Sequence, residues 1–219
     1  MSITVGLIGV GYWGPNLLRN LHTSNQCTLK TVCDLSESRC DFVKSNYPTI
    51  TVSTEINTIM NDPEITAIII ATPVKTHFDL AIQALKANKH ILVEKPMATS
   101  LQEIEKIETL ANQNNRIAMS GHTFLFNDAV NYIKDFINSG ELGDLRYIYS
   151  QRLNLGRIRD DVDALWNLAP HDISIIQYIL NDLKPAKIQK NGMNYIQNDI
   201  DAVVFMNIEY PNAVIANIH

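Results

Sequence analysis

This sequence predicts a doubly wound parallel α/β sheet followed by a second, α+β domain. Three observations lead there. Strand-like and helix-like segments alternate through the first half, a G-x-G-x-x-G follows the first strand, and after about Gly121 the pattern turns to longer strands with few helices. The expected division is 1–121 and 122–219.

In the first half, β-branched runs occupy 3–8, 29–33, 67–70, 90–93 and 117–119. Several are apolar at successive positions, as strands buried on both faces are. Helical spacing fills 16–21, 36–45, 77–87 and 101–112. Such alternation with short connections implies right-handed βαβ units. Ser36 marks one helix start, and Ser100 with Glu103 resembles a capping box.

Past Gly121, Asn127 is placed to cap a helix at 128–138, and 139–144 (SGELGD) is a turn. A long strand-like run at 145–154, an Arg- and Asp-rich loop and a helix at 171–180 follow. Further strands are expected at 186–193, 202–209 and from 213 on, forming a mostly antiparallel open sheet. Those last strands are apolar and have no later partners in the chain. Natural sheets avoid leaving long apolar edges bare. The expectation is therefore a homo-oligomer built through the second sheet, or a protein that continues further.

The composition narrows the function. Of 219 residues, 46% are hydrophobic, and 18 Lys and Arg stand against 23 Asp and Glu, a net charge of −5. This is a globular composition without the basic surface that nucleic-acid binding uses. No apolar run approaches the roughly 20 residues of a membrane span. The N-terminus has neither a basic n-region nor a small-residue cleavage site. Cys27, Cys33 and Cys40 lack metal or redox spacing, so free thiols in a reducing cytoplasm are expected, and no metal.

Four segments carry chemistry. Gly9-Val10-Gly11-Tyr12-Trp13-Gly14 follows a strand and opens a helix with Pro15 in its first turn. Gly9 permits the tight turn, Gly11 lets backbone approach a pyrophosphate, and Gly14 lets helix and strand pack closely. Asp34, twenty residues after Gly14, is placed to accept from a ribose 2′-OH, or else is a turn residue before Ser36. The loop Ala71-Thr72-Pro73-Val74-Lys75-Thr76-His77 lies at the carboxyl edge of a doubly wound sheet, or is a proline turn with Thr76 as N-cap. Glu94-Lys95-Pro96 puts a lysine at the same edge. It is either a proton-transfer group of lowered pKa or a surface lysine beside a glutamate, and Pro96 makes a cis peptide possible. Trp166-Asn167-Leu168-Ala169-Pro170-His171-Asp172 offers His171 as a proton donor or acceptor, or as a packed or capping histidine.

Together these segments resemble the Gfo/Idh/MocA oxidoreductases, NAD(P)-dependent sugar and polyol dehydrogenases. GVGYWG, the CD closing the second strand, ATP followed by His77, EKP and the late His171 stand in the family's order and spacing. GHTFLFNDAV, NLGRIRDD and LWNLAPHD resemble a branch common in bacterial sugar-nucleotide and surface-polysaccharide pathways. The resemblance implies a Rossmann domain followed by a domain whose open sheet often forms the oligomer interface. It implies NAD contacts from Gly9, Gly11, Tyr12, Trp13, Gly14, Asp34, Arg39, Ala71, Thr72, Pro73, His77, Glu94 and Lys95. Lys95 would be the first candidate base and His171, near the reacting carbinol, the second. Asn167, Arg152 and Trp166 would face a sugar or nucleotide-sugar, with Arg152, Arg157 and Arg159 holding phosphates or else pairing with Asp160, Asp161 and Asp163. NAD is favoured over NADP because Asp34 repels a 2′-phosphate and Arg39 lies too far along its helix to replace it. In many family members an Asp stands where this chain has Asn167, which puts a carboxylate–histidine dyad in doubt. Family members also run longer, so the resemblance implies a C-terminally truncated product, a fragment or a minimal variant. The alternatives are a truncated dinucleotide-binding protein without turnover, and a regulatory protein that senses NADH.

Overall fold

A computed structural model describes residues 3–154 and 162–219. The chain splits into two compact units, Met1–Gly121 and His122–His219. In the first unit the order is β1 (Ile3–Ile8), α1 (Gly14–Thr23), β2 (Cys27–Cys33), α2 (Glu37–Asn46), β3 (Thr51–Ser53), α3 (Asn57–Met60) and β4 (Ala67–Ile70). A 3₁₀ turn (Val74–Thr76), α4 (His77–Lys86), β5 (His90–Val93), α5 (Leu101–Gln113) and β6 (Ala118–Ser120) complete it.

The strands form a six-stranded sheet in the order β3-β2-β1-β4-β5-β6, with every pairing parallel. The order reverses between β1 and β4, the switch point where such sheets bind ligands outside their carboxyl ends. The successive apolar positions have a direct cause. Leu7 and Ile69 pack with Leu18 and Val43 on one face, while Ile8, Ile68 and Ile70 pack with Leu85 and Ile107 on the other. Two elements, β3 and α3, were not anticipated, because three and four residues are too few to show a period. β2 also starts earlier than expected, at Cys27.

The helix caps differ in detail. Ser100 accepts from the Glu103 N–H at 3.3 Å, while the Glu103 carboxylate accepts from the N–H of Thr99 at 2.9 Å and from its hydroxyl at 3.1 Å, one residue before the usual partner. Ser36 precedes α2 without capping it, its hydroxyl lying 2.9 Å from that of Ser38.

The second unit contains a 3₁₀ turn (Thr123–Phe126), α6 (Asp128–Asn138), β7 (Tyr147–Ser150), α7 (Ala164–Ile179), β8 (Lys187–Met193), β9 (Val203–Glu209) and β10 (Ile215–Ile218). Asn127 caps α6 by accepting from the N–H groups of Ala129 and Val130 at 3.0 and 3.4 Å. The sheet order is β7-β10-β9-β8, antiparallel except for the β10–β7 pair. One face packs Met206, Ile208, Ala216 and Ile218 against Ala169, Ile173 and Ile176 of α7. The other carries Tyr147, Tyr149, Phe205 and Ile215, all exposed.

Three expectations for this unit are corrected. The strand-like run at 145–154 contains only the four residues of β7. The helix foreseen from 171 begins at Ala164, capped by Asp163, which accepts from the Trp166 N–H at 2.8 Å. Pro170 lies inside that helix, where it removes one N–H rather than marking a start. Finally, the apolar strands β9 and β10 are the two interior strands, and the edges are short β7 and polar, exposed β8. Chain order made the last strands look unpaired; spatial order gives each two neighbours. Among the described residues, no helix is long and apolar enough to cross a membrane.

Candidate active site

Parallel register places the first unit's motifs in one row. Ile8 pairs with Cys33 and Ile70, Ile70 with Val93, and Val93 with Ser120. The next residues, Gly9, Asp34, Ala71, Glu94 and Gly121, therefore share one edge. Backbone bonds carry the ladder onto them: Gly9 N–H to Cys33 O and Ala71 N–H to Ile8 O at 2.8 Å, Glu94 N–H to Ile70 O at 2.9 Å, and Gly121 N–H to Val93 O at 2.8 Å. Five segments scattered over the chain thus meet on a line at the switch point.

The glycine-rich loop fits a dinucleotide in particulars. Gly9 has φ +94°, and a Cβ there would lie 2.7 Å from Ala71 O, so both conformation and space demand glycine. A Cβ on Gly14 would collide with the Gly9 carbonyl, which is how α1 sits so close to β1. At Gly11 a Cβ would meet nothing within 4 Å, leaving that side of the loop open to a ligand. α1 starts after Trp13 with no side-chain cap and no acidic residue in its first turn. Pro15 has no N–H and the Asn16 N–H donates to Trp13 O at 3.0 Å, so what the start of α1 offers an anion such as a pyrophosphate is its positive dipole end, free of any carboxylate of its own. Tyr12 and Trp13 are exposed on this loop. Asp34 does two things at once: Oδ2 accepts from the Val10 N–H at 2.7 Å, and Oδ1 from the Ser36 N–H at 2.9 Å. It is the turn residue and also a carboxylate fixed beside the glycine loop. Contrary to the expectation that it lies too far along its helix, Arg39 is the third residue of α2, exposed in the first turn.

The next two loops are tied together from beneath. Thr76 does not cap α4; its hydroxyl donates to Pro73 O at 2.8 Å and lies 2.7 Å from Thr72 Oγ1, whose own hydroxyl can donate to it. His77, 1% exposed, has Nδ1 2.8 Å from Pro96 O and Nε2 2.8 Å from Thr72 O. The Lys95–Pro96 peptide is cis, and Lys95 itself is half-buried. The Glu94 carboxylate accepts from the Lys95 N–H at 3.3 Å, and the Trp13 side chain lies near enough to favour its charged form. A Cβ at Gly121 would lie 3.2 Å from Glu94 Oε2, so glycine there makes room for the acid. Burial pushes the Glu94 carboxyl above the ordinary glutamate range, against the opposing pull of its hydrogen bonds and of Lys95 and His77.

In the second unit a polar cluster surrounds the middle of α7. Asp172, 4% exposed, accepts from Arg152 Nε at 2.6 Å and Nη2 at 3.3 Å, and from the Ser150 hydroxyl at 2.6 Å. The Arg152 guanidinium lies 4.9 Å from the Phe124 ring centre, and the same ring meets His171 edge-on at 4.9 Å. The expected phosphate-holding role of Arg152 is thus qualified: its charge is already matched by a buried carboxylate. Asp172 was not singled out as a site residue, although an acid inside the apolar run of α7 requires a buried partner. Asn167 lies one turn before His171 on the same face, and Trp166 is exposed. Of the alternative arginine partners, Asp163 caps α7 and lies 3.5 Å from Lys190. Arg157, Arg159, Asp160 and Asp161 fall outside the described residues. Among the described residues, no group of three or more His, Cys, Asp or Glu could hold a metal ion.

A family profile described as oxidoreductase family, NAD-binding Rossmann fold, matches residues 3–122. The chain belongs to that family. It is 33% identical to the uncharacterized oxidoreductase YdgJ of Escherichia coli K12, over 78% of this chain and 51% of that protein. It is 25% identical to an inositol 2-dehydrogenase of Salmonella typhimurium, over 86% of this chain and 58% of that enzyme. The solved structure of scyllo-inositol dehydrogenase from Lactobacillus casei, with bound NAD(H) and scyllo-inositol, shares the fold at a TM-score of 0.88. Its identity is 19%, and the match covers 100% of this chain and 69% of that one. The chain thus spans between 47% and 61% of the length of eight curated relatives it matches.

The raised Glu94 carboxyl has a pH signature. Its folded pKa lies above its unfolded one, so the folded state holds the proton more tightly and loses stability as pH rises through that window. Glu94→Gln removes the charge. Its melting temperature relative to the parent is expected to climb from about pH 4 upward and then level off. A difference independent of pH in calorimetry would show that the carboxyl is not held up by burial.

Proposed function

We propose that this chain carries the dinucleotide site and part of the substrate site of an NAD-dependent dehydrogenase acting on a carbinol or ketone carbon of a sugar or polyol. The observation that carries the reading is the row Gly9, Asp34, Ala71, Glu94 and Gly121, with Lys95 one residue beyond it. The nicotinamide, when bound, supplies or takes up the hydride. The chain's residues do the rest. The open side of the glycine loop and the uncapped start of α1 hold the pyrophosphate. Asp34 accepts from the adenosine ribose 2′-OH. Lys95 takes the substrate hydroxyl proton in the oxidation direction and returns it in reduction, with His171 the second candidate for that proton. Asn167 and Trp166 orient substrate hydroxyls.

An inositol 2-dehydrogenase among the relatives supports a polyol-like substrate. The narrower form of the reading is a nucleotide-sugar in surface-polysaccharide synthesis, favoured by the GHTFLFNDAV and LWNLAPHD stretches. In that form the phosphates are held by groups other than Arg152, whose charge is matched by Asp172. The three free cysteines support a reducing cytoplasm. The face bearing Tyr147, Tyr149, Phe205 and Ile215 supports a homo-oligomer built through the second sheet.

Titration should show NADH bound more tightly than NADPH by about 1–3 kcal/mol, with the preference lost in Asp34→Ala. Equal affinities in the parent overturn the role given to Asp34. Lys95→Ala should lower turnover on polyols about 10²–10⁴-fold while changing dinucleotide affinity far less. Near-normal kcat removes Lys95 from the proton step, and parent protein that binds NADH but turns over nothing supports a binding protein without catalysis. Light scattering should find an oligomer that Tyr149→Lys with Phe205→Lys splits; a parent monomer refutes the assembly.

A further inference from the structure

His77 shares the row's edge but has no access to a ligand, being 1% exposed with each ring nitrogen against a backbone carbonyl; both carbonyls only accept, so a ring with one N–H donates to one of them and merely contacts the other. The two carbonyls belong to the separate loops that follow β4 and β5. Thr72 follows Ala71 of the row, and Pro96 directly follows Lys95. On the Thr72 side the contact is backed up, because the Thr76 hydroxyl donates to Pro73 O and is hydrogen-bonded to the Thr72 hydroxyl. On the Pro96 side, no other hydrogen bond reaches the carbonyl among those described. The two arms of the ring therefore differ. Loss of the Thr72 arm leaves a carbonyl whose loop is braced by Thr76, whereas loss of the Pro96 arm removes the hydrogen bond described at the carbonyl next to Lys95 and leaves the Lys95 N–H bond to Glu94.

We propose that His77 is a positioning residue that carries its proton on Nδ1 and donates it to the Pro96 carbonyl, which sets Lys95 against the nicotinamide half of a bound dinucleotide. This rests on the dinucleotide reading above and goes beyond it by assigning a buried histidine to one half of the ligand. It is not a catalytic residue, because it touches neither ligand nor reacting atoms.

The ring geometry supplies the test. An asparagine amide nitrogen is as many bonds from Cβ as Nδ1 is, and a glutamine amide nitrogen as many as Nε2. His77→Asn can therefore keep the Pro96 arm and drop the Thr72 arm, and His77→Gln does the reverse. Calorimetric titration of the whole chain and both variants with NADH, and with ADP-ribose, which lacks the nicotinamide, reads the two halves separately. The expected result is that His77→Gln weakens NADH about five- to tenfold, the loss of one hydrogen bond's ordering. It should leave ADP-ribose within about twofold, and His77→Asn should restore NADH to within about twofold of the parent. Equal weakening of both ligands, or equal loss in both variants, makes His77 a general packing residue and overturns the proposal. Parent-like NADH affinity in His77→Gln overturns it too, as does loss of cooperative thermal unfolding in both variants. Parent protein that binds neither ligand overturns the dinucleotide reading itself, and the inference with it.

Discussion

The first unit depends on the register of its parallel sheet. Parallel pairing aligns strand ends only if each βαβ crossover returns the chain to the same level. Ile8, Cys33, Ile70, Val93 and Ser120 meet that condition. Everything chemical follows one residue later. A one-residue slip in β5 would exchange its two buried faces and move Glu94 and Lys95 off the row. The apolar packing of Ile91 and Val93 on one side of the sheet and Leu92 on the other therefore holds the site as well as the fold.

Along that edge the loops are held by side chains in place of a continued sheet. Asp34 ties the end of β2 to the glycine loop through Val10. Glu94 lies beside Trp13 of the glycine loop and accepts from the N–H of the next residue, Lys95. His77 joins the loops after β4 and β5. Loop backbone has no ladder partners of its own, so such bonds decide which N–H and C=O groups remain for a ligand. The helix start is left uncapped while the carboxylates are held in place, the division of roles an anionic dinucleotide needs.

The second unit balances differently. Its buried charge is self-contained, with Arg152 and Asp172 paired and Ser150 and Phe124 closing around them. A carboxylate as buried as Asp172 would be strongly destabilising without that guanidinium. The pair lies next to His171 through the shared Phe124 ring, so structural electrostatics and the candidate proton group occupy one cluster. The opposite side of the same sheet leaves its aromatic side chains exposed.

Much of the first unit was legible because its signals are local. The glycine spacing, the doubly buried strands and the edge positions of Asp34, Glu94 and Lys95 follow from chain-neighbour sterics and periodicity. β3 and α3 were too short to announce themselves, and Pro170 disguised the start of α7 because a proline that opens a helix and one tolerated inside it look alike in sequence. The sequence by itself determined the alternating sheet, the dinucleotide loop and the residues at its edge, since these rest on backbone geometry that a few neighbours impose. Only the tertiary structure decided that β10 lies between β7 and β9, that Arg152 is matched by Asp172, and that His77 spans two loops. Those are pairings between residues distant in the chain, and no period or spacing encodes which partner a buried strand, charge or ring nitrogen will find.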